Sequence, residues 1–407
     1  MVISQLFRKN RMWGKSQLKD KYDVVIIGAG VHGLATAYYL GKLGVTNVAV
    51  LDKGYVGGGA SARTTAIIRS NYLTPQAVPF FRESVKLYED LSNDLEFNLL
   101  FSQIGRLELG HTDSSMFALR QRAEINQLLD VDSQMVGASE IKDLIPCIDM
   151  REGKHLPIIG ALYHPPGGVV RHDAVVWGFG RGADRYGAEI HPFTEVTGIT
   201  VEDGRVTGVT TPEQSIKSEI VVSATAGWSS TVSKMLDIDL PIVTHRLQAM
   251  VTEPLKPFMD TTISSANLHI YIYQTDRGEV VMGGGVDPYP TYSQRSTLLS
   301  LESLAAHAIE MFPFLGNAKI LRQWGGLCDM TPDYAPIMGK IDGLDGFAIT
   351  SGWGTWGFKA APIAGKCMAE LITTNTTPKM IESFGLSRFR DNKLVNERSA
   401  APAAAIH

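Results

Sequence analysis

Apolar and polar positions repeat along this chain with two different periods, and the changes of period divide it into segments. Residues 24 to 27 are four apolar residues in a row, the mark of a short strand covered on both faces. The Ala/Leu-rich stretch that follows repeats at helical spacing to about Leu43. Gly44 stops it, and "NVAVLD", ending at Asp52, predicts a second buried strand. "FFRESVKLYEDL" after Pro79 predicts a long helix, and residues 100 to 170 mix short helices and strands. "RHDAVVWGFGRGADRYGAEI" predicts another helix. "EVTGITVEDGRVTGVTT" predicts two strands joined by a DG turn, and "SEIVVSATAGW" one more. From Leu240 to Gly285 the period is two, in "HRLQAMVTEP", "LHIYIYQTD" and "GEVVMGGG", which predicts an antiparallel sheet. Residues 297 to 312 return to helical spacing. "GFAITSGWGTWGFKAAPIAGKCMAELI" then predicts a strand, a glycine-rich loop and a helix.

Nucleotide-type pieces therefore flank sheet-type pieces, and 407 residues exceed one ordinary core. The expected fold is α/β. A Rossmann-like dinucleotide domain is assembled from residues 22–100, 166–235 and 321–390. A substrate domain with a largely antiparallel sheet, residues 101–165 and 236–320, is inserted between them. Residues 391–407 are expected to be a disordered tail.

Composition narrows the setting. Net charge is −4 with 44% hydrophobic and 20% charged residues, so nothing points to nucleic acid or an anionic membrane. Three scattered cysteines, Cys147, Cys328 and Cys367, argue against a disulfide framework or a thiolate metal site. No apolar run is long enough to span a bilayer. The basic start, "MVISQLFRKNRMWGKSQLKDKYD", lacks the apolar stretch of a secretory signal and reads as a surface arm. A cytoplasmic home is expected.

The first candidate chemistry is a glycine fingerprint. Gly28 permits the tight turn, Gly30 lets backbone approach a pyrophosphate, and Gly33 lets the helix pack on the strand. Val31 and His32 sit inside the motif, where the helix N-terminus offers N–H groups and partial positive charge. Asp52, about 20 residues on, suits a ribose, with Lys53 next to it. Gly59, Arg63, Thr64 and Thr65 form a second loop suited to a pyrophosphate or ribityl chain, and Val196 is the candidate for adenine. The glycine-rich loop "SGWGTWGFK", with Gly352, Gly354, Gly357 and Lys359, lies far from the fingerprint. A nicotinamide site needs no such second loop. FAD does, and the helix after Gly357 can stabilise negative charge on a reduced flavin ring. Asp333, Pro336 and Gly339 extend that strip.

"DVVIIGAGVHG", "GGGASARTTAIIRSNY", "HRLQAMVTEP", "WGGLCDMTPDYAPIMG" and "SGWGTWGFKAAP" together resemble the amine-oxidising flavoproteins of the D-amino-acid-oxidase type. Within that group they resemble the beta subunits of heterotetrameric sarcosine oxidases. The resemblance runs from about Tyr22 to Ile372. It implies FAD, expected to be noncovalent because Gly326 stands where a tethering cysteine would be, and a second flavin, FMN, bonded through the histidine of "GGVVRHD", which is His172, with Arg171 beside it. A neutral imidazole is a reasonable nucleophile for that bond. The implied reaction converts sarcosine to glycine and formaldehyde at FAD, passes electrons to FMN and reduces oxygen to hydrogen peroxide. The implied partners are a large alpha subunit and two small ones, with folate and NAD on a partner.

Two departures mark the pattern. Monomeric sarcosine oxidases tether FAD to a cysteine at the position of Gly326, and Cys328, two residues on, is expected to face away and pack. Ala62 and Ala66 stand where those enzymes carry basic residues. The candidates for chemistry are Lys359, Arg69, Tyr72, Thr355 and Tyr271. Two related readings are a dye-linked proline dehydrogenase beta subunit and a dimethylglycine-type oxidase. A third is a flavin scaffold without chemistry of its own.

Overall fold

The computed structural model describes residues 12–151 and 153–400. Most of the basic start, residues 1–11, and the last seven residues lie outside them. In chain order the elements that carry the site are β1 (Val24–Ile27), α1 (Val31–Lys42), β2 (Val48–Leu51), α2 (Ala77–Asp94), β3 (Arg106–Gly110), α3 (His172–Arg185), β4 (Ile220–Ser223), β5 (Val243–Pro254), β6 (Ile270–Gln274), β7 (Ile320–Met330), β8 (Leu344–Ser351) and α4 (Gly357–Thr374).

Every residue of β1 and β2 is buried, which is why each reads as a continuous apolar run. β1 pairs in parallel with β2 on one side and β4 on the other, Val24 lying opposite both Val48 and Ile220. β8 continues the parallel run beyond β4. These strands form the middle of a nine-stranded sheet. Parallel neighbours need crossovers, and α1 is the first of them. α1 packs against α3 and α4. A Cβ on Gly365 of α4 would lie 2.6 Å from the Cβ of Ala35, so glycine permits that close approach.

The second sheet has eight strands, ordered β7, β5, Glu279–Pro290, β6, Thr262–Ser265, β3, Gly160–His164 and Gln134–Gly137. Among the described residues its only parallel pair is Thr262–Ser265 with β3, so the sheet is largely antiparallel, as the period-two alternation implied. Separate clusters of buried side chains lie between the parallel sheet and helices α1 to α4, on the opposite face of that sheet, and under the second sheet.

Two expected boundaries move. β7 pairs with β5 from Ile320 to Met330, so residues 321–330 lie in the antiparallel sheet rather than with the dinucleotide-binding segments. The supposedly disordered tail is ordered over residues 391–399. Glu397 is fully buried there, and its N–H donates to Asp333 O at 3.0 Å. A polar, alanine-rich composition hid contacts that depend on single buried side chains.

Candidate active site

A cavity of about 1240 Å³ lies between the two sheets. Drug-sized ligand pockets are usually roughly 300–1,000 Å³, so this one has room for a long cofactor and a small substrate together. Its walls come from both ends of the chain and from the inserted sheet.

The glycine fingerprint forms one end. Gly28 adopts φ +111, and a Cβ there would sit 2.5 Å from Ala224 O, so no other residue fits the turn from β1 into α1. A Cβ on Gly33 would fall 1.9 Å from Gly28 O. Gly33 therefore serves packing beneath the loop and does not line the cavity, whereas Gly28, Gly30, Val31 and His32 do. Ser61 Oγ accepts the Val31 N–H at 3.0 Å and holds the loop open. The Asp52 carboxylate closes the other side, accepting from Ala29 N and Gly54 N at 2.8 Å each. Lys53 Nζ lies 3.3 Å from the Trp228 ring centre, a cation–π contact at the cavity wall. Val196 lines the same end with Thr194 and Glu195.

Residues 58 to 65 form the next wall. Arg63 Nη1 donates to Gly59 O at 2.8 Å and to Gly58 O, so this arginine ties its own loop. Gly59, Arg63, Thr64 and Thr65 all face the cavity. From the inserted sheet, the Tyr273 hydroxyl donates to Thr65 O at 2.9 Å. Tyr271 lines the cavity, and burial pushes its hydroxyl up to about 12.

The C-terminal loop closes over the fingerprint. His32 Nε2 donates to Gly357 O at 2.8 Å, and its ring stacks on Trp353 at 4.4 Å. Burial lowers the imidazole to about 4, so it is neutral. Buried Asp329 organises the loop: its Oδ2 accepts the Gly352 N–H at 2.6 Å, and its backbone carbonyl accepts the Gly354 N–H. Gly352 lies behind the wall, while Gly354, Thr355, Gly357 and Lys359 face the cavity. Asp333 is placed elsewhere than expected. It is fully buried in an ion pair with Arg388, at 2.8 Å, and does not reach the cavity.

Cys328 corrects an expectation outright. Residues two apart on a strand share a face, and Gly326 and Cys328 both line the cavity. Burial raises the Cys328 thiol to about 12, so it stays protonated.

The far end is cationic. Lys359 Nζ donates to Thr355 O at 3.0 Å. Burial, with Arg69 and Arg106 nearby, holds its ammonium well below the ordinary lysine value. Arg69 lies over the Tyr72 ring at 4.0 Å. Tyr72 itself is fully buried, stacked on Phe81 and beside Trp356, and is not in the wall. It supports Arg69 and cannot close on a substrate. Arg106 and Arg122 flank Glu108: burial alone would raise that carboxyl, yet the two guanidiniums hold it down at about 2. Arg106 Nη1 and Arg122 Nε have no hydrogen-bond partner among the described residues. Sequence reading missed Ser61, Asp329, Trp228 and this arginine cluster, because none belongs to a short-spaced motif.

His164 supports the same end. Its Nδ1 donates to Asp132 O at 2.7 Å, and its Nε2 accepts the Ser70 N–H at 3.2 Å, so one neutral tautomer satisfies both. Burial lowers it to about 3. Between pH 6.5 and 5 only the unfolded chain takes up this proton, so its contribution to stability falls by about 2 kcal/mol as pH drops. Urea unfolding of the wild type and His164→Gln should show their stability difference shrinking by that amount from pH 7.5 to pH 5. A difference independent of pH would refute the assignment.

His172 is outside the cavity. It begins α3, half-buried, with Arg171 donating to Asp173 at 3.0 Å. Burial lowers its imidazole; Asp173 opposes this, and Arg171 and Arg322 add to it. The glycine turn at 167–168 places it: Gly168 pairs with Ile68, and a Cβ there would lie 2.1 Å from Ser102 O.

The residues fit FAD. The glycine turn leaves backbone bare beside the fingerprint, and one continuous cavity joins it to Lys359. Among the described residues no group of three His, Cys, Asp or Glu could hold a metal ion, and no helix is long and apolar enough to cross a membrane.

A family model described as FAD dependent oxidoreductase matches residues 23–371. The sarcosine oxidase subunit beta of Rhodobacter capsulatus is 42% identical over 395 residues, covering 97% of this chain and 95% of its own. That of Arthrobacter sp is 40% identical over 394 residues, 97% of each chain. Among solved structures, L-proline dehydrogenase from P. horikoshii superposes with a TM-score of 0.87 at 30% identity, covering 93% of this chain and 100% of that one. Glycine oxidase from Geobacillus kaustophilus, at 22% identity, shares the fold with a TM-score of 0.84 over 91% of this chain and 99% of that one.

Proposed function

The chain belongs to the FAD dependent oxidoreductase family, and from that premise we propose that it oxidises sarcosine as the beta subunit of a multi-subunit oxidase. Its reaction class is flavin-dependent oxidation of an amine. The observation that carries the finer reading is the cavity itself, which runs from the glycine fingerprint to Lys359 and a cluster of buried arginines. A small substrate with a carboxylate suits that end.

FAD would be held by Gly28, Gly30, Val31, Asp52, Thr64, Thr65 and Val196. When bound it supplies a two-electron acceptor for hydride from the N-methyl carbon of sarcosine, whose imine product water converts to glycine and formaldehyde. The protonated Cys328 thiol favours noncovalent attachment.

Sarcosine enters as a zwitterion, and its nitrogen must lose a proton before hydride can leave. Lys359, whose charged form is disfavoured by burial and by Arg69 and Arg106, takes that proton at Nζ. It becomes the cation that pairs with the carboxylate. Thr355 O fixes the position of Nζ. Arg69 adds a second cation, and Tyr271 and Trp353 exclude water from the walls. His172, outside this cavity, would carry FMN through its ring nitrogen, with Arg171 and Arg322 favouring the negative charge of a flavin. With that group bound, oxygen would be the final electron acceptor and would leave as hydrogen peroxide, and a large partner subunit would cover the surface around exposed Arg171.

Anaerobic mixing of the flavin-loaded complex with sarcosine, proline or dimethylglycine tests the reading. Sarcosine is expected to bleach the flavin absorbance fastest. Preference for proline would move the chain to the activity of its structural neighbour. Absence of bleaching by any amine would leave a flavin-binding scaffold.

A further inference from the structure

The Arg69 loop is held from behind by the far end of the chain. Glu397 is fully buried, and its carboxylate accepts Leu73 N at 3.0 Å, Thr74 N at 2.8 Å and Thr74 Oγ1 at 2.8 Å. Two residues on, Ser399 returns both its N–H, at 3.1 Å, and its hydroxyl to Glu397 Oε1. The carbonyl of Ser399 in turn accepts Arg69 Nη2 at 3.0 Å. Arg69 Nη1 is spent on Asn71, at 2.9 Å to the backbone oxygen and 3.1 Å to the side chain. The segment is itself anchored: Asp333 accepts Val395 N at 3.1 Å and Glu397 N at 3.0 Å, and Asp333 is locked by Arg388. Arg398 and Ser399 then form part of the cavity wall, while Glu397 stays outside it.

We propose that Glu397 is a positioning residue for Arg69, and that through it the C-terminal segment 395–399 completes the substrate end of the cavity. A carboxylate is the group this place requires. It faces three backbone N–H groups and two hydroxyls at once, and only a carboxylate, an acceptor at both oxygens with no proton of its own, serves so many donors. Such a nest of charge-assisted bonds is costly to break. The clip spans more than 320 residues of sequence, so the arginine that faces substrate is aimed by a segment remote from it along the chain. Composition gave no sign of it.

The inference rests on the reading that Arg69 and Lys359 receive a substrate carboxylate. It is tested in the flavin-loaded complex with two probes, acetate and sarcosine. Acetate binding is read from the perturbation of the flavin spectrum, and flavin content is read from absorbance after denaturation. In Glu397→Gln, one oxygen becomes a donor facing donors. The acetate Kd and the sarcosine KM are expected to rise about tenfold, kcat to change less than about twofold, and flavin content to remain full. Glu397→Asp, which keeps the charge but shortens the reach, is expected to fall between. Unchanged Kd and KM in Glu397→Gln would overturn the proposal. So would parallel loss of flavin, kcat and affinity, which marks a merely structural residue. A wild type that binds acetate but is never bleached by sarcosine refutes the sarcosine reading and leaves this one testable through acetate alone.

Discussion

Lys359→Met is expected to lower the rate of flavin bleaching by sarcosine by about 10³-fold at pH 7 while leaving flavin content unchanged. Methionine matches the length of lysine and tolerates burial, so the cavity keeps its shape. Two functions are lost together. One is the proton acceptor for the substrate ammonium, and the other is the cation that pairs with the carboxylate. Their pH signatures differ. Lys359 sits well below its ordinary value because burial and two arginines disfavour the charged form. In the wild type, bleaching should therefore rise with pH only until Lys359 is deprotonated, and then level off. In Lys359→Met no residue takes the proton, and the rate should climb about tenfold per pH unit up to the amine's own titration near pH 10. Rapid-mixing absorbance from pH 6 to pH 10 measures both. A variant with wild-type rates, or the same plateau, would remove Lys359 from the mechanism.

His172→Ala should abolish covalent flavin altogether. The intact mass of the chain, isolated from complex made with its partner subunits, should fall to the bare polypeptide value. Acid precipitate should turn from yellow to colourless. FAD, held in a cavity that His172 does not line, should remain and still bleach with sarcosine. Burial disfavours the charged imidazole; Asp173 opposes this, and Arg171 and Arg322 add to it. Attachment should therefore be as fast at pH 7 as at pH 8, and slow only as acid protonates the ring below pH 6.5. A wild-type chain without added mass would sink the covalent assignment, whatever the variant does.

Legibility of the site followed sequence distance. Gly28, Gly30 and Asp52 could be read because a dinucleotide turn needs those residue types at a short, fixed spacing. His172 was singled out by the family resemblance of "GGVVRHD", and Lys359 by the glycine-rich loop that precedes its helix. Tyr72 was misjudged: its place in a conspicuous motif suggested a substrate contact, and packing made it a platform under Arg69. Cys328 was misjudged by a slip of strand parity. Asp329, His164 and Glu397 left no local trace, since each is defined by partners on other elements.

The sequence by itself determined the alternation of nucleotide-type and sheet-type segments, the glycine turn between β1 and α1, and the flavin class. Those depend on local backbone geometry and on periods of two and 3.6, which any window of the chain displays. Only the tertiary structure decided which cations face the cavity, which histidines are neutral and which end of the chain aims Arg69. Desolvation and charge–charge interaction act through space, and their partners here lie up to 330 residues apart along the chain.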